Sequence, residues 1–318
     1  MKRYLNDVSH KFLAVIIIFI LSMSFISCGS IDDVKSFTGK LDSSVSGENS
    51  LAASSKDGLA VHYIDVGQAD SILITQGNSS MLIDGGNNDD YKLVREYIEK
   101  QGIKKLDYIV GTHAHEDHIG GLDYIINSFN VGKIYFPKQT ANTKTYKEFV
   151  SSVKNKNMKF TLPVAGQSFK LGEAECTILA PNSGNYDDAN EYSIVIKITY
   201  KNNSFLFTGD ASSISEKEML SKGYDLKSDV LKVGHHGSRS STTTEFLKTV
   251  NPKYAVVSCG KDNDYGHPTE TVINRLKKAS IPVYRTDESG TIVAKSNGTD
   301  IIFNVQPGSY KPGTKKKS

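Results

Sequence analysis

The chain of 318 residues has no tryptophan, only three cysteines and only eight prolines. The missing tryptophan does not exclude a sizeable core, because 16 tyrosines and 13 phenylalanines supply aromatic bulk and 38% of the residues are hydrophobic. These values are typical of a soluble globular body. Cys176 and Cys259 stand alone in the sequence, which is more typical of buried small hydrophobic residues than of a disulfide or metal ligands. We assign no role to either.

A strong charge imbalance is also missing. The formal net charge is +3, and removing residues 1–28 takes away three basic residues and one acidic residue, which leaves about +1. The fold as a whole is therefore not a polycation. Any affinity for nucleic acid must come from a local patch or from a metal site.

The N-terminus is typical of an export signal. A basic start precedes the apolar run 12–23, which is too short to cross a bilayer comfortably, and small residues and Cys28 follow. The pattern resembles a bacterial lipoprotein signal, although Phe25 and Ile26 depart from its usual residues. We predict a signal peptide at 1–28 and a membrane anchor through a lipid on Cys28. An uncleaved anchor or ordinary secretion is the alternative, and each of these places the body outside the cytoplasm.

The rest of the chain divides by composition. Residues 29–57 are rich in Ser, Asp, Gly and Lys and predict a flexible tether. Residues 58–305 alternate strand-like and helix-like segments, which predicts one domain with two sheets and helices packed outside them. Residues 306–318 contain two prolines, two glycines and three consecutive lysines, and we predict a basic disordered tail.

A dense group of metal-ligand side chains follows the predicted strand at 107–110. Residues 113–118 read His-Ala-His-Glu-Asp-His, and an extended backbone would point His113 and His115 to the same side. Neutral imidazole suits Zn, Fe and Mn, and a carboxylate adds negative charge. Three buried imidazoles without partners would be costly. The cluster therefore predicts a metal site, and a surface loop rich in histidine is the alternative.

Four further polar clusters come directly after predicted strands. They are Asp84-Gly85-Gly86, Thr208-Gly209-Asp210, His235-His236-Gly237-Ser238 and Tyr265-Gly266-His267-Pro268. An Asp-Gly pair alone is a weak signal, because turns use it constantly. Together with residues 113–118, the clusters indicate that loops at several strand ends meet at one centre.

With these residues in view, the chain resembles the metallo-β-lactamase fold superfamily. Residues 113–118 match its signature motif, Asp84 matches its first motif and Asp210 matches its metal-bridging aspartate. The resemblance covers nearly all of 58–305. It implies an α/β (α+β) fold, a four-layer αββα sandwich, with one or two metal ions between the sheet edges.

The resemblance narrows to one branch of that superfamily. Four segments are similar to the hydrolase domain of ComEC-type DNA-internalisation competence proteins and its stand-alone relatives: residues 61–70, 190–193, 207–210 and 231–238. The membrane channel of the competence proteins is not seen here. We therefore expect a DNA-transport role not to carry over.

One departure from the superfamily pattern concerns its middle histidine. The superfamily usually supplies another His ligand before the bridging aspartate, yet no histidine occurs between His118 and Asp210. Asn190 is a candidate substitute. The resemblance then implies an asymmetric site with two metal positions that share one aspartate. One position has His113, His115 and Asp210, and the other has Asp117, His118, Asp210 and one C-terminal histidine.

The C-terminal ligand is left open among His235, His236 and His267. Our working assignment gives His235 and His267 to one or two Zn or Mn ions and His236 to the leaving oxygen, because adjacent side chains usually point apart. Asp84 or Asp117 would orient the nucleophile.

Several neighbours of the predicted centre are further candidates. Asp65 is a candidate to orient a ligating histidine, and Asp70 is expected to bond the turn backbone. Lys232 either attracts an anionic substrate or is a solvated charge. His62 lies inside a predicted strand and is expected to pack rather than to ligate.

The function predicted from these residues is metal-dependent hydrolysis outside the cytoplasm, by a phosphodiesterase or nuclease that ionises water with a metal. Its substrate would be a small-molecule or nucleic-acid phosphodiester, and no protein partner is implied. One alternative is hydrolysis of a β-lactam, lactone or other carbonyl ester, against which the missing middle histidine counts. A second alternative is a binding protein without turnover, against which the complete signature motif counts.

Overall fold

The computed structural model describes residues 58–316. The predicted signal peptide at 1–28 and tether at 29–57 lie outside the described residues. The strands are β1 (Leu59–Tyr63), β2 (Ile72–Gln76), β3 (Ser79–Ile83), β4 (Lys105–Val110), β5 (Asn130–Tyr135), β6 (Phe160–Thr161), β7 (Ser168–Leu171), β8 (Ala174–Ala180), β9 (Val195–Tyr200), β10 (Asn203–Phe207), β11 (Val230–Lys232), β12 (Tyr254–Val257), β13 (Val283–Arg285), β14 (Ile292–Ser296) and β15 (Ile301–Phe303).

Helices connect many of these strands. They are α1 (Tyr91–Lys100), α2 (Glu116–Ile119), α3 (Leu122–Ser128), α4 (Lys144–Asn155), α5 (Ser213–Ser221), α6 (Thr244–Val250), α7 (Glu270–Lys278) and α8 (Thr286–Ser289). Short 3-10 turns lie at Asn88–Asp90 and Ala189–Tyr192. In the described part of the chain, no helix is long and apolar enough to span a membrane.

The strands form two sheets of mixed direction. One has eight strands in the order β15-β14-β1-β2-β3-β4-β5-β6, and the other has seven in the order β13-β12-β11-β10-β9-β8-β7. Neighbours from β3 to β6 and from β10 to β13 run parallel, and the other neighbours run antiparallel. Parallel neighbours end at the same edge of a sheet, so each sheet gathers several loops at its carboxyl edge.

Strand alternation divides the core into layers. In β2, Ile72 and Ile74 belong to the cluster between the two sheets, whereas Leu73 belongs to the cluster under the helices. In β10, Phe205 and Phe207 point between the sheets, and Leu206 packs with residues of α5, α6 and α7. Successive strand residues face opposite sides, so both faces of each sheet are buried. The result is the predicted four-layer αββα sandwich.

The chain between β4 and β5 forms two short helices, α2 and α3, with Gly120 and Gly121 between them. A β-carbon at Gly120 would lie 2.3 Å from backbone atoms of Asn87 and Asn88, so only a glycine fits there. The strands β6 and β7 give little signal in the sequence. They are short and half exposed, so their apolar alternation is weak.

The predicted tail at 306–318 differs from the structure as far as Thr314. Gly308 and Gly313 donate backbone hydrogen bonds to Val283 and Pro268 at 2.7 Å each, and the Tyr310 hydroxyl donates to a backbone carbonyl of the body at 2.8 Å. The segment has no helix or strand, yet its backbone groups find partners on the body. The disordered-tail prediction was therefore wrong for this part of the segment.

Candidate metal centre

Strained turns present the polar side chains at the strand ends. Asp84 follows β3 with a φ of 59°, and His235 and His236 follow β11 with φ values of 50° and 52°. Residues with a β-carbon reach this left-handed region at a cost of roughly 1–3 kcal/mol each. The Gly234–Gly237 turn thereby turns two adjacent imidazoles toward the carboxyl edge. Strain of this kind is common where a side chain must be aimed.

Four side chains from three separate segments of the chain converge at this edge. Asp117, His118, Asp210 and His236 each bring one ligand atom within 4.8 Å of the others. His118 Nε2 lies 3.3 Å from Asp210 Oδ1 and 3.7 Å from Asp117 Oδ2. His236 Nε2 lies 3.3 Å from Asp117 Oδ2 and 3.7 Å from Asp210 Oδ1. We call these four residues the metal group.

The metal group fits a divalent cation. Ligand atoms placed about 2.1 Å from a tetrahedral ion lie roughly 3.4 Å apart, which is the spacing of these atoms. His118 Nε2, Asp210 Oδ1 and His236 Nε2 are buried and have no hydrogen-bond partner. Buried polar atoms without partners cost free energy, so three of them pointing at one place fit a bound cation. Two imidazoles with two carboxylates also suit Zn or Mn.

The charges of the metal group perturb its pKa values strongly. Burial opposes the charged imidazolium of His236, but Asp210 and Asp70 raise its pKa to about 10. Burial likewise opposes charge on His118, yet Asp210, Asp117 and Asp84 raise its pKa well above the ordinary value. The surrounding carboxylates therefore favour protonated imidazoles at His118 and His236. A divalent ion would take the place of those protons and release them on binding.

Asp84 fixes the orientation of His118 from behind. Its Oδ2 lies 2.8 Å from His118 Nδ1, and Thr112 donates to the same carboxylate through its backbone N–H and its hydroxyl, at 2.8 Å each. The Nδ1 proton is therefore directed to Asp84, which leaves the Nε2 lone pair for a metal. Asp84 lies on the far side of the imidazole from the metal group. The structure thus gives it a positioning contact rather than the predicted contact with a nucleophile.

A buried ion pair supports His236 in the same way. The Lys232 ammonium donates to Asp70 Oδ2 at 2.9 Å, and both side chains are at most 1% exposed. Asp70 Oδ1 lies 3.5 Å from His236 Nδ1, which itself lies 3.1 Å from the Ser258 carbonyl oxygen. Burial alone would raise the pKa of the Asp70 carboxyl, but Lys232 and His236 hold it well below its ordinary value. The predictions for Asp70 as a turn residue and Lys232 as an accessible charge were wrong.

His113 and His115 point to the same side, as predicted from their spacing. His113 Nε2 lies 2.9 Å from His115 Nδ1, and His113 Nδ1 lies 3.1 Å from the Thr112 hydroxyl. Among the residues described, groups of three or more potential ligands within 4.8 Å comprise the metal group and the set Asp70, Asp84 and His118. The two histidines belong to neither group. The second metal position predicted for them with Asp210 is thus not assembled as a ligand group.

The C-terminal histidines take different places from the working assignment. His236, predicted to assist the leaving oxygen, belongs to the metal group. His235 Nε2 lies 3.5 Å from Asp210 Oδ2, on the outer side of the group. His267 Nδ1 lies 3.4 Å from the Gln68 amide nitrogen, and its ring meets that of His235 at 5.7 Å between centroids. His235 and His267 therefore stand between the metal group and solvent.

A cavity of about 400 Å³ connects the metal group with solvent. Residues of several loops line it: Gln68, His115, Glu116, Asp117, Asp210, His235, His236, Tyr265 and His267. Within the group, Asp117 has the most exposed side chain, at 30%, whereas the other three are at most 2% exposed. A substrate would therefore approach from the side of Asp117.

The remaining candidates lie outside the metal group. Asn190 is buried, and its Oδ1 has no hydrogen-bond partner. Asp65 accepts from Gly67 N at 3.2 Å and takes no part in orienting a ligand. His62 packs in β1 with its Nδ1 2.9 Å from the Tyr97 hydroxyl, and burial lowers its pKa to about 4. The prediction of a packing role for His62 is confirmed.

Sequence reasoning missed the supports behind the two imidazoles. Lys232 interrupts the apolar segment 230–233, and a lysine inside a buried parallel strand needs a carboxylate partner, which was the available signal. Thr112 offered no comparable signal. Ser193 was also missed: its hydroxyl accepts from Asp210 N at 3.1 Å and lies 3.4 Å from His113 Nδ1.

Comparison with known proteins gives a consistent result. The family described as "Metallo-beta-lactamase superfamily" matches residues 64–261. ComE operon protein 3 of Bacillus subtilis (strain 168) is 30% identical over 265 residues, which cover 78% of this chain and 34% of that protein. Competence protein ComA of Neisseria gonorrhoeae is 32% identical over 235 residues, which cover 73% of this chain and 32% of that protein. The chain spans about a third of the length of these curated relatives.

The fold recurs in a solved structure. The metallo-beta-lactamase fold protein YhfI from Bacillus subtilis superposes with a TM-score of 0.50 at 17% identity, covering 76% of this chain and 100% of that one. A likeness at this identity concerns the fold alone. It agrees with the two mixed sheets and their outer helices, so the predicted fold class is confirmed.

The buried ion pair predicts a large stability loss when one partner is removed. We expect Lys232→Met to lower the free energy of unfolding by about 3–5 kcal/mol, because it leaves Asp70 charged and unpaired in the core. Lys253→Met is the matched control: its ammonium is 67% exposed beside Asp229, and such pairs contribute about 0–1 kcal/mol. Urea unfolding of both variants measures the difference. Equal losses would contradict the role given to the pair.

The contact between Asp84 and His118 predicts an effect on metal affinity. We expect Asp84→Asn to weaken metal binding about 10- to 100-fold, since the amide no longer offers a carboxylate to the Nδ1 proton. Competition with a chromogenic chelator gives the affinity. Asp229→Asn is the control, because that carboxylate accepts from Ser204 N at 2.8 Å at the other end of β10. An unchanged affinity in Asp84→Asn would remove Asp84 from the centre.

Proposed function

Because this chain belongs to the metallo-β-lactamase superfamily, we propose that it is a metal-dependent phosphodiesterase that acts outside the cytoplasm. One observation carries the catalytic part of the proposal. Three buried ligand atoms without hydrogen-bond partners, from His118, Asp210 and His236, point at one place at the foot of an open cavity. A purely structural site would satisfy these atoms within the protein.

The residues of the metal group define what the centre does chemically. Asp117, His118, Asp210 and His236 would hold the ion. A divalent ion held there supplies Lewis-acid stabilisation of negative charge and lowers the pKa of water. Asp84 and the Ser258 carbonyl keep the two ligating imidazoles in the tautomer that faces the ion. Asp117, the most accessible carboxylate of the group, orients the attacking water by accepting its hydrogen bond.

The choice of a phosphodiester rests on the relatives. ComE operon protein 3 and competence protein ComA are similar over 78% and 73% of this chain, and the segments 61–70 and 231–238 resemble the hydrolase domain of DNA-internalisation competence proteins. Segment 61–70 includes Gln68, which lines the cavity, and Asp70, which supports His236. Segment 231–238 includes Lys232 and both C-terminal histidines of the centre. The similarity therefore lies in the residues that build the site.

The activity test compares substrate classes and variants. We expect metal-stripped protein reloaded with Mn or Zn to hydrolyse bis(4-nitrophenyl) phosphate and a DNA oligonucleotide, and to leave a chromogenic β-lactam intact. His118→Ala should lower kcat/KM more than about 100-fold, since it removes a ligand rather than a supporting group. His62→Gln, a change of a buried histidine outside the centre, should keep the activity. Turnover of the lactam without turnover of phosphodiesters would refute the proposal.

The location is the second part of the proposal. The basic start, the apolar run 12–23 and Cys28 support export followed by lipidation at that cysteine. We expect Cys28→Ser to move the protein from the membrane fraction to the soluble extracytoplasmic fraction, because the thioether-linked lipid can no longer form. Fractionation of cells that make either form gives the answer. Membrane retention of Cys28→Ser at wild-type level would mean that the segment is an uncleaved anchor.

A further inference from the structure

An exposed aromatic side chain stands at the mouth of the metal centre. Tyr265 is 64% exposed and lines the same cavity as Asp117 and Asp210. Its ring stacks on His267, with centroids 5.4 Å apart and planes inclined by 21°. His267 in turn meets His235 edge-on. An aromatic row thus runs from beside Asp210 to the surface and ends in the tyrosine.

The loop that carries Tyr265 is held by a buried side chain. Asn263 Oδ1 accepts from the backbone N–H of Tyr265 at 3.1 Å and of His267 at 3.0 Å. Its amide nitrogen donates to the carbonyl oxygens of Gly260 and His267, at 2.8 and 2.6 Å. One asparagine therefore fastens both ends of the loop. The tyrosine is exposed without being loosely placed, which is the condition for a stacking platform.

The C-terminal segment brings a positive charge to the same place. Gly313 N donates to Pro268 O at 2.7 Å, and a β-carbon at Gly313 would overlap the His267 carbonyl oxygen. The backbone therefore passes closer than any side chain at 313 would allow. Two residues later, Lys315 Cγ lies 3.1 Å from the position of a β-carbon at Gly266. Lys315 thus packs against Gly266, the residue that follows Tyr265.

We propose that Tyr265 and Lys315 form a binding subsite for a nucleobase and its flanking phosphate in a single-stranded polynucleotide. The inference rests on the proposed phosphodiesterase function and specifies how its substrate is held outside the reacting bond. The base stacks on the Tyr265 ring, and the Lys315 ammonium attracts the adjoining phosphate.

The chemistry around the cavity explains why both groups are needed. The two carboxylates of the metal group are balanced by its own imidazoles or by a bound ion, and Glu116 lines the same cavity, so the interior offers a polyanion no surplus of positive charge. The fold has little net positive charge to offset this. Attraction must therefore come from the rim, where Lys315 lies. Stacking on an aromatic ring tolerates any base, which suits a platform without base-specific hydrogen bonds.

The test measures binding separately from turnover. The probe is a fluorescently labelled single strand of twelve deoxyadenosines, called dA12. Its fluorescence anisotropy, in EDTA and over a series of salt concentrations, gives the dissociation constant and its salt dependence. We expect Tyr265→Ala to weaken binding on the order of tenfold with an unchanged salt slope, and Tyr265→Phe to restore it, because stacking needs the ring but not the hydroxyl. Lys315→Ala should reduce the salt slope by about 0.7, the value for one phosphate contact on a single strand.

Matched variants separate the subsite from general effects. Tyr124→Ala removes another exposed tyrosine that stacks on an aromatic ring, and Lys104→Ala removes an exposed lysine at the amino end of β4, away from the carboxyl edge. Both should bind like wild type. Gly313→Val should reproduce the Lys315→Ala effect, because it forces the C-terminal segment off His267. An abasic strand should bind the wild type and the Tyr265→Ala variant equally, because it offers no base to stack.

The outcomes distinguish this inference from the proposed function. If Tyr265→Ala binds dA12 as tightly as Tyr124→Ala does, or if the Lys315→Ala salt slope equals that of Lys104→Ala, the subsite is refuted whether or not phosphodiesters are hydrolysed. If binding depends on both residues while no phosphodiester is turned over, the subsite stands and the proposed activity fails.

Discussion

The candidate metal centre depends on how the imidazoles of His118 and His236 are paired. In each ring one nitrogen faces an acceptor, and the other keeps its lone pair for a metal. Asp84 takes the Nδ1 proton of His118, and the Ser258 carbonyl faces Nδ1 of His236. Each Nε2 then faces carboxylates of the metal group and has no hydrogen-bond partner. A histidine whose two nitrogens were both satisfied would be stable but inert toward a metal. The free energy lost at the two Nε2 atoms is therefore tied directly to their capacity to bind a cation.

The same requirement explains the buried charges around the centre. Asp70 places a carboxylate near His236, and a lone buried carboxylate would be costly. Lys232 offsets it from inside β11, at a position that a parallel strand normally gives to an apolar side chain. The turn that follows strains His235 and His236 into left-handed backbone. Lys232 and the strained turn lie close together in the chain, whereas Asp70 reaches them only through tertiary packing. Each of these features makes sense only in relation to the imidazole of His236 or its neighbour.

The fold and the ligand types were predictable from the sequence, and the geometry was only partly so. The order of strand-like and helix-like segments over 58–305 predicted two sheets with outer helices, and residues 113–118 predicted the family, which is confirmed. Spacing could not tell His236 from His235, because the choice depends on a backbone conformation that a non-glycine residue rarely adopts. It could not find the partner of Lys232 either, since Asp70 is distant in sequence and meets the lysine only through tertiary packing.

The buried metal group and the rim of its cavity are built by different parts of the chain. The metal group sits just after β4, β10 and β11, and its supports lie in or next to strands of the same two sheets, so the two sheets determine their positions. The rim comes from the loop after β12, fastened by Asn263, and from a C-terminal segment without regular structure. Changes in the rim alter only contacts at the surface, whereas a change at Asp84 or Lys232 disturbs the buried charges. In the function proposed here, substrate selection can therefore vary while the metal centre stays the same.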